Sequence, residues 1–188
     1  MVRVGVRLAT AGAALAASMG MTAVAGAATA NAGTTAAAAA GPAAGYEPLA
    51  FLIGHCWKGT SANGTVSDEH CFSWIYGGKF VRDEHVVHRA DGQPDAFGES
   101  IYVWDSQSSQ LQYLYIESAG GYSRGTVTGG EPGTLVFPPT SYTEKGQAQT
   151  YRSRWQRVGT DAYDVVTEFR DGDRWVPGFT LHMQKVKT

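Results

Sequence analysis

The chain has only two cysteines, no basic surplus and, beyond its first 32 residues, no apolar run that could span a membrane as a helix. Each shortage removes a class of function. A formal charge of −2 gives no electrostatic footprint for nucleic acid or anionic membrane surfaces. There is no Gly-x-Ser-x-Gly nucleophile elbow, and the glycine clusters sit at turns and open no helix, so phosphate-cradling loops are missing too. Metal motifs as tight as His-x-His do not occur. Glu99 and Glu117 are lone carboxylates without a recognisable partner. Long helical periodicity is also missing. What remains is a strand-rich chain read first as a binding protein, with an enzyme kept as an alternative.

Residues 1–32 read as a secretory signal. Arg3 and Arg7 form a basic start, an Ala-rich apolar run follows, and small-residue cleavage sites end at Ala27 and Ala32. Export to the periplasm or medium is therefore expected, and losing Arg3 and Arg7 takes the formal charge from −2 to −4. Residues 33–45 form a low-complexity Ala/Gly/Thr tail expected to be disordered. Residues 46–188 are left as one domain with room for a real core.

The stretch 55–89, HCWKGTSANGTVSDEHCFSWIYGGKFVRDEHVVHR, holds four of the five histidines and both cysteines. Its turn signals, Asn63-Gly64 and Gly77-Gly78, predict three antiparallel strands in succession. Counting outward from a two-residue Asn63-Gly64 turn sets Cys56 opposite Cys71 as a hydrogen-bonded pair, and Trp57 opposite His70. A disulfide is feasible at that separation, and an exported chain makes it credible. From Gly77-Gly78, Tyr76 faces Lys79, Trp74 faces Val81, Phe72 faces Asp83 and His70 faces His85. Alternation then puts His55, Trp57, His70, Phe72, Trp74, Tyr76, Val81, Asp83 and His85 on one inward face.

The segment 46–54, YEPLAFLIG, is spaced for a helical turn that caps one end of a sheet. Further strands are expected at 97–104, 111–117, 122–128, 134–137 (closed by Pro138-Pro139), 151–157, 163–170 and 175–185. A three-residue loop at 171–173 best matches the last two strands, pairing Phe169 with Trp175 and Tyr163 with Leu181, and turns His182 outward. Together these predict an all-β fold: one antiparallel up-and-down barrel of about eight to ten strands with a short N-terminal helical turn.

PLAFLIGHCWKG resembles the opening of lipocalin-like (calycin) barrels, in which a helical turn leads through Gly and Trp, here Gly54 and Trp57, into the first strand. The Gly-His-Cys-Trp spacing is one residue longer than the usual Gly-x-Trp. Residues 48–185, including DEHCFSWIYGGKFVRDEHVV and GGYSRGTV, resemble uncharacterised bacterial lipocalin-like proteins. The resemblance implies a ligand-holding barrel without naming an activity. A related group, the nitrobindin-type barrels, binds haem through a late-strand histidine, and His182 is the one matching residue.

Two kinds of chemistry fit the inward face. His55, His70, His85 and Asp83 have the types of a metal site. The alternative is a buried network in which the imidazoles hydrogen-bond Asp83, Asp68 or backbone. Trp57, Phe72, Trp74, Tyr113 and Tyr115 could line a cavity for an apolar or aromatic ligand, with His70, His85 or Arg124 fixing its polar end; alternatively they fill the barrel. Arg152, Arg154 and Arg157 read as a solvated face. The expected role is non-covalent binding of a small, partly apolar molecule. A metal- or haem-dependent enzyme and a filled structural barrel are the other two readings.

Overall fold

The computed structural model describes residues 44–61, 64–89 and 92–187. The expected signal, most of the Ala/Gly tail, Asn63 and Asp91 lie outside these. The described residues form a closed barrel of ten antiparallel strands, each bonded to its neighbours in sequence, with the last closing onto the first. The strands are β1 (Cys56–Ser61), β2 (Val66–Ile75), β3 (Phe80–Arg89), β4 (Ala96–Asp105) and β5 (Gln110–Glu117), followed by β6 (Tyr122–Gly129), β7 (Thr134–Glu144), β8 (Gln147–Val158), β9 (Ala162–Asp171) and β10 (Arg174–Lys185). No helix among the described residues is long and apolar enough to cross a membrane.

One end of the barrel is sealed. A 3-10 turn, Glu47–Leu49, precedes β1 and carries Leu49 and Leu52 into the core, both fully buried. The Trp57 indole donates to the Leu52 carbonyl at 3.3 Å, and the ring packs edge-on against Tyr163. The Tyr46 hydroxyl ties this turn to two neighbouring hairpins, donating to the Lys79 carbonyl at 2.9 Å and accepting from the Trp104 amide at 3.0 Å. Gly45 sits against the Trp104 ring, where a Cβ would collide with it. Leu135, Met183, Leu111, Val127 and Tyr102 complete this apolar floor. Burial of such side chains is worth about 1.5–3 kcal/mol each.

The register of the first hairpins follows the expected pairs. Cys56 lies opposite Cys71, Trp57 opposite His70, and His70 opposite His85. Cys56 and Cys71 are disulfide-bonded, with Cα atoms 4.0 Å apart. This is the narrow, non-hydrogen-bonded spacing rather than the expected wider one. The Phe72 amide donates to the His55 carbonyl at 3.0 Å, which makes the adjacent pair the hydrogen-bonded one. The β2–β3 turn takes four residues, Tyr76 to Lys79, where two were expected. An even change in loop length keeps the register but puts Tyr76 at φ 48°, 79% exposed instead of inward.

Two later expectations are corrected. Pro138-Pro139 do not end β7. They sit where the pairing of β7 with β8 is interrupted, between Phe137 and Thr140, and where the ladder with β6 is also broken, so no amide is missed. Thr140 bridges part of that gap, its hydroxyl donating to the Arg124 carbonyl at 2.7 Å. In the last hairpin Asp171 pairs with Arg174 across two residues, not three, and a bulge between Pro177 and Phe179 then shifts the register. Turn and bulge together restore the parity: Leu181 lies opposite Val165 and Met183 opposite Tyr163, all four buried, while His182 faces out as expected.

Candidate functional site

Above the sealed floor the barrel is hollow, with a cavity of about 270 Å³. Its walls come from alternate residues of β2, β3, β5, β8, β9 and β10, as the two-residue period of a strand requires, with Ser100 from β4 and Phe137 and Tyr142 from β7. Tyr113, Phe137, Trp155 and Val165 give the apolar wall, and Phe169 and Phe179 join them toward the hairpin that ends the barrel opposite the sealed end. Tyr113, Tyr151 and Ser123 form a hydroxyl cluster, with both contacts to the Tyr151 hydroxyl at 3.0 Å. Ser153 and Thr167 share a hydrogen bond of 2.9 Å across β8 and β9.

One side of the cavity is a carboxylate–imidazole cluster on β2 and β3. His70 is clamped between two carboxylates: Nδ1 lies 2.9 Å from Asp83 Oδ2, and Nε2 lies 3.2 Å from Asp68 Oδ2. The other Asp68 oxygen is 3.3 Å from His85 Nδ1, and His85 Nε2 meets the Tyr115 hydroxyl at 3.0 Å. The two imidazole rings lie 4.9 Å apart, centroid to centroid, and His70 also stacks on Phe72. Gly98 pairs with His85 across β3 and β4 and makes room for this ring; a Cβ there would collide with His85 Nε2.

Burial by itself would lower the His70 pKa, but the charges of Asp83 and then Asp68 override it and push it up to about 10. For Asp68, burial works to raise the pKa, and the His70 and His85 contacts outweigh it, holding the carboxyl well below the usual range. The Tyr113 and Tyr115 phenols are pushed up, chiefly by burial, and stay protonated as hydroxyl donors.

The expected site residues divide into two groups. His70, His85, Tyr113, Tyr115 and Asp83 do line the cavity. Trp57 is fully buried in the sealed floor, and Phe72 lies behind the His70 ring. Trp74 packs edge-on against Tyr46, with ring centroids 5.1 Å apart, and does not line the cavity. Arg124 is exposed: it pairs with Leu114, and both point outward while Ser123 and Tyr115 point in. His55 precedes β1, is exposed, and belongs to no cluster with His70; Asp68 takes its place. His182 pairs with Asp164 at 2.6 Å on the outer surface, away from the cavity. Sequence reasoning missed Tyr151, Ser153 and Trp155. Their signal was the alternation with Arg152 and Arg154, which defines the opposite face of β8.

No protein-family model matches the chain, and no curated protein matches it.

Proposed function

We propose that this is an exported carrier or receptor that holds a small, partly apolar molecule non-covalently inside the barrel. The observation that carries the reading is the cavity itself: about 270 Å³, walled by Tyr113, Phe137, Trp155 and Val165, with the charged carboxylate–imidazole cluster on one side. An apolar body against the aromatic wall and one polar group toward Asp68 and His85 is the division of labour typical of small-molecule sites. A filled barrel would have no such space. Membership of the lipocalin-like group is part of the proposal, supported by the closed up-and-down topology and by the buried Trp57 that follows the capping turn.

Export is supported by the Cys56–Cys71 disulfide, which persists in oxidising compartments. Mass spectrometry of the secreted protein should find a mature N-terminus just after Ala27 or Ala32; a retained Met1 would refute export by this signal. The binding claim is tested by thermal shift with a panel of small aromatic alcohols and amines. At least one should raise the melting temperature of the wild type and have no effect on Thr167→Phe, which fills the cavity from β9. If no compound shifts the wild type, or the shift persists unchanged in the filled variant, the reading fails.

A further inference from the structure

We propose that Asp68, His70 and His85 form a three-ligand site for a divalent transition metal ion of the zinc class, open to the cavity and backed by Asp83. The inference rests on the cavity reading only in that the cavity supplies the fourth coordination position. Asp68 offers an oxygen, His70 its Nε2 and His85 its Nδ1, and all three atoms lie within 4.8 Å of one another. Bonds of roughly 2.0 Å to a tetrahedral zinc ion separate neighbouring ligand atoms by about 3.3 Å. The contacts are of that size, 3.2 Å from Asp68 Oδ2 to His70 Nε2 and 3.3 Å from Asp68 Oδ1 to His85 Nδ1, each through its own carboxylate oxygen. The Asp68 carboxylate thus spans the two imidazoles, and an ion seated between them meets one oxygen after a rotation of the carboxylate, or both in a bidentate grip.

The surroundings are those of a metal centre as much as of an ion-pair network. Asp83 holds His70 Nδ1 at 2.9 Å, which fixes the tautomer that directs the Nε2 lone pair at the ion. On the other ligand, His85 Nε2 is held by Tyr115, so Nδ1 faces Asp68. Two carboxylates and two neutral imidazoles carry a charge that one divalent ion cancels. Binding releases the proton held between His70 Nε2 and Asp68; the His85 proton facing Asp68 moves from Nδ1 to Nε2, where the Tyr115 oxygen accepts it, and no electron moves. Three protein ligands and one open position are the pattern of sites that bind or polarise a further molecule rather than purely structural ones.

The test is titration of the tag-free, chelator-treated protein with cobalt(II), a spectroscopic stand-in for zinc. The expected result is one cobalt per chain, with a visible band typical of four-coordinate cobalt that zinc abolishes. The band should vanish in His70→Ala and in His85→Ala, and persist in His55→Ala and His182→Ala. Asp83→Asn, which keeps the shape of the support, should weaken binding by about 10–100-fold. If the folded wild type develops no band, or the band survives in both His70→Ala and His85→Ala, the cluster is a proton-held network only and the proposal is overturned. Thermal shifts on the chelator-treated protein separate this test from that of ligand binding: organic ligands should still raise its melting temperature with the metal removed, so loss of the cobalt band and loss of ligand binding are read independently.

Discussion

At the scale of single residues, His70 decides the electrostatics of the cavity. In the metal-free protein its pKa rises from an ordinary 6.5 to about 10 through Asp83 and Asp68. A raised pKa means that the folded state holds its proton more tightly than the unfolded chain does. The resulting stabilisation is complete below about pH 6.5 and is lost as the pH climbs through about 10. The melting temperature of the wild type should therefore fall toward that of His70→Gln by several degrees between about pH 7 and about pH 10.5. Parallel curves for the two proteins would contradict the clamp. Asp68 has the opposite sign, its stabilisation being present above the usual carboxylate range and lost only in strong acid. Gly98 is the second residue on which the site depends. Gly98→Ala drives a Cβ into the His85 ring and the Tyr115 edge. It should cost roughly 1–3 kcal/mol in urea unfolding and shift the His85 imidazole signals in NMR spectra. Parity alone made His70, His85 and Asp83 legible in the sequence, but not Gly98, whose role depends on how a neighbouring ring lies across its strand.

Among the elements, the hairpins show what sequence can and cannot define. The β1–β2 and β2–β3 registers were readable because Asn63-Gly64 and Gly77-Gly78 mark the turns and an even error in loop length leaves every cross-strand pair intact. The same error moved Tyr76 from core to solvent, since loop length decides where pairing stops. Pro138-Pro139 looked like a terminator because proline cannot donate to a ladder, but β7 carries both where its neighbours' ladders are interrupted. Cys56–Cys71 closes a loop with a sequence separation of 15, worth about 3 kcal/mol in the chain-entropy model. Reduction, or Cys56→Ser with Cys71→Ser, should lower the melting temperature by roughly 10 °C; an unchanged value would contradict the bridge's role. The bulge at Gly178 offers a sharper test. Deleting Gly178 shifts β10 by one residue against β9 and turns Leu181 and Met183 outward. The deletion variant should lose cooperative unfolding and its near-UV circular dichroism, whereas native-like signals would mean that the bulge is dispensable.

For the whole molecule, the account depends on the barrel being plugged at one end and hollow above. Composition and strand spacing made the closed all-β architecture legible. They could not distinguish the floor from the cavity, because Trp57, Phe72 and Trp74 share an inward face with His70 and differ only in height along the barrel axis. That height is set by the capping turn, where Leu49 and Leu52 fill the floor around Trp57. Arg124 was misplaced for a simpler reason: on β6 the small residues Ser123 and Gly125 face inward, opposite Tyr115 and Tyr113, while Tyr122 and Arg124 face water. The decisive experiment is a two-dimensional NMR titration of the purified protein with whichever aromatic alcohol or amine raises its melting temperature most. A ligand in the cavity should concentrate shifts at Tyr113, Tyr151, Trp155, Thr167 and His85 and leave Trp57, Trp74 and Arg124 unmoved. Shifts centred on the outer face or on the sealed floor, with the cavity residues silent, would contradict it.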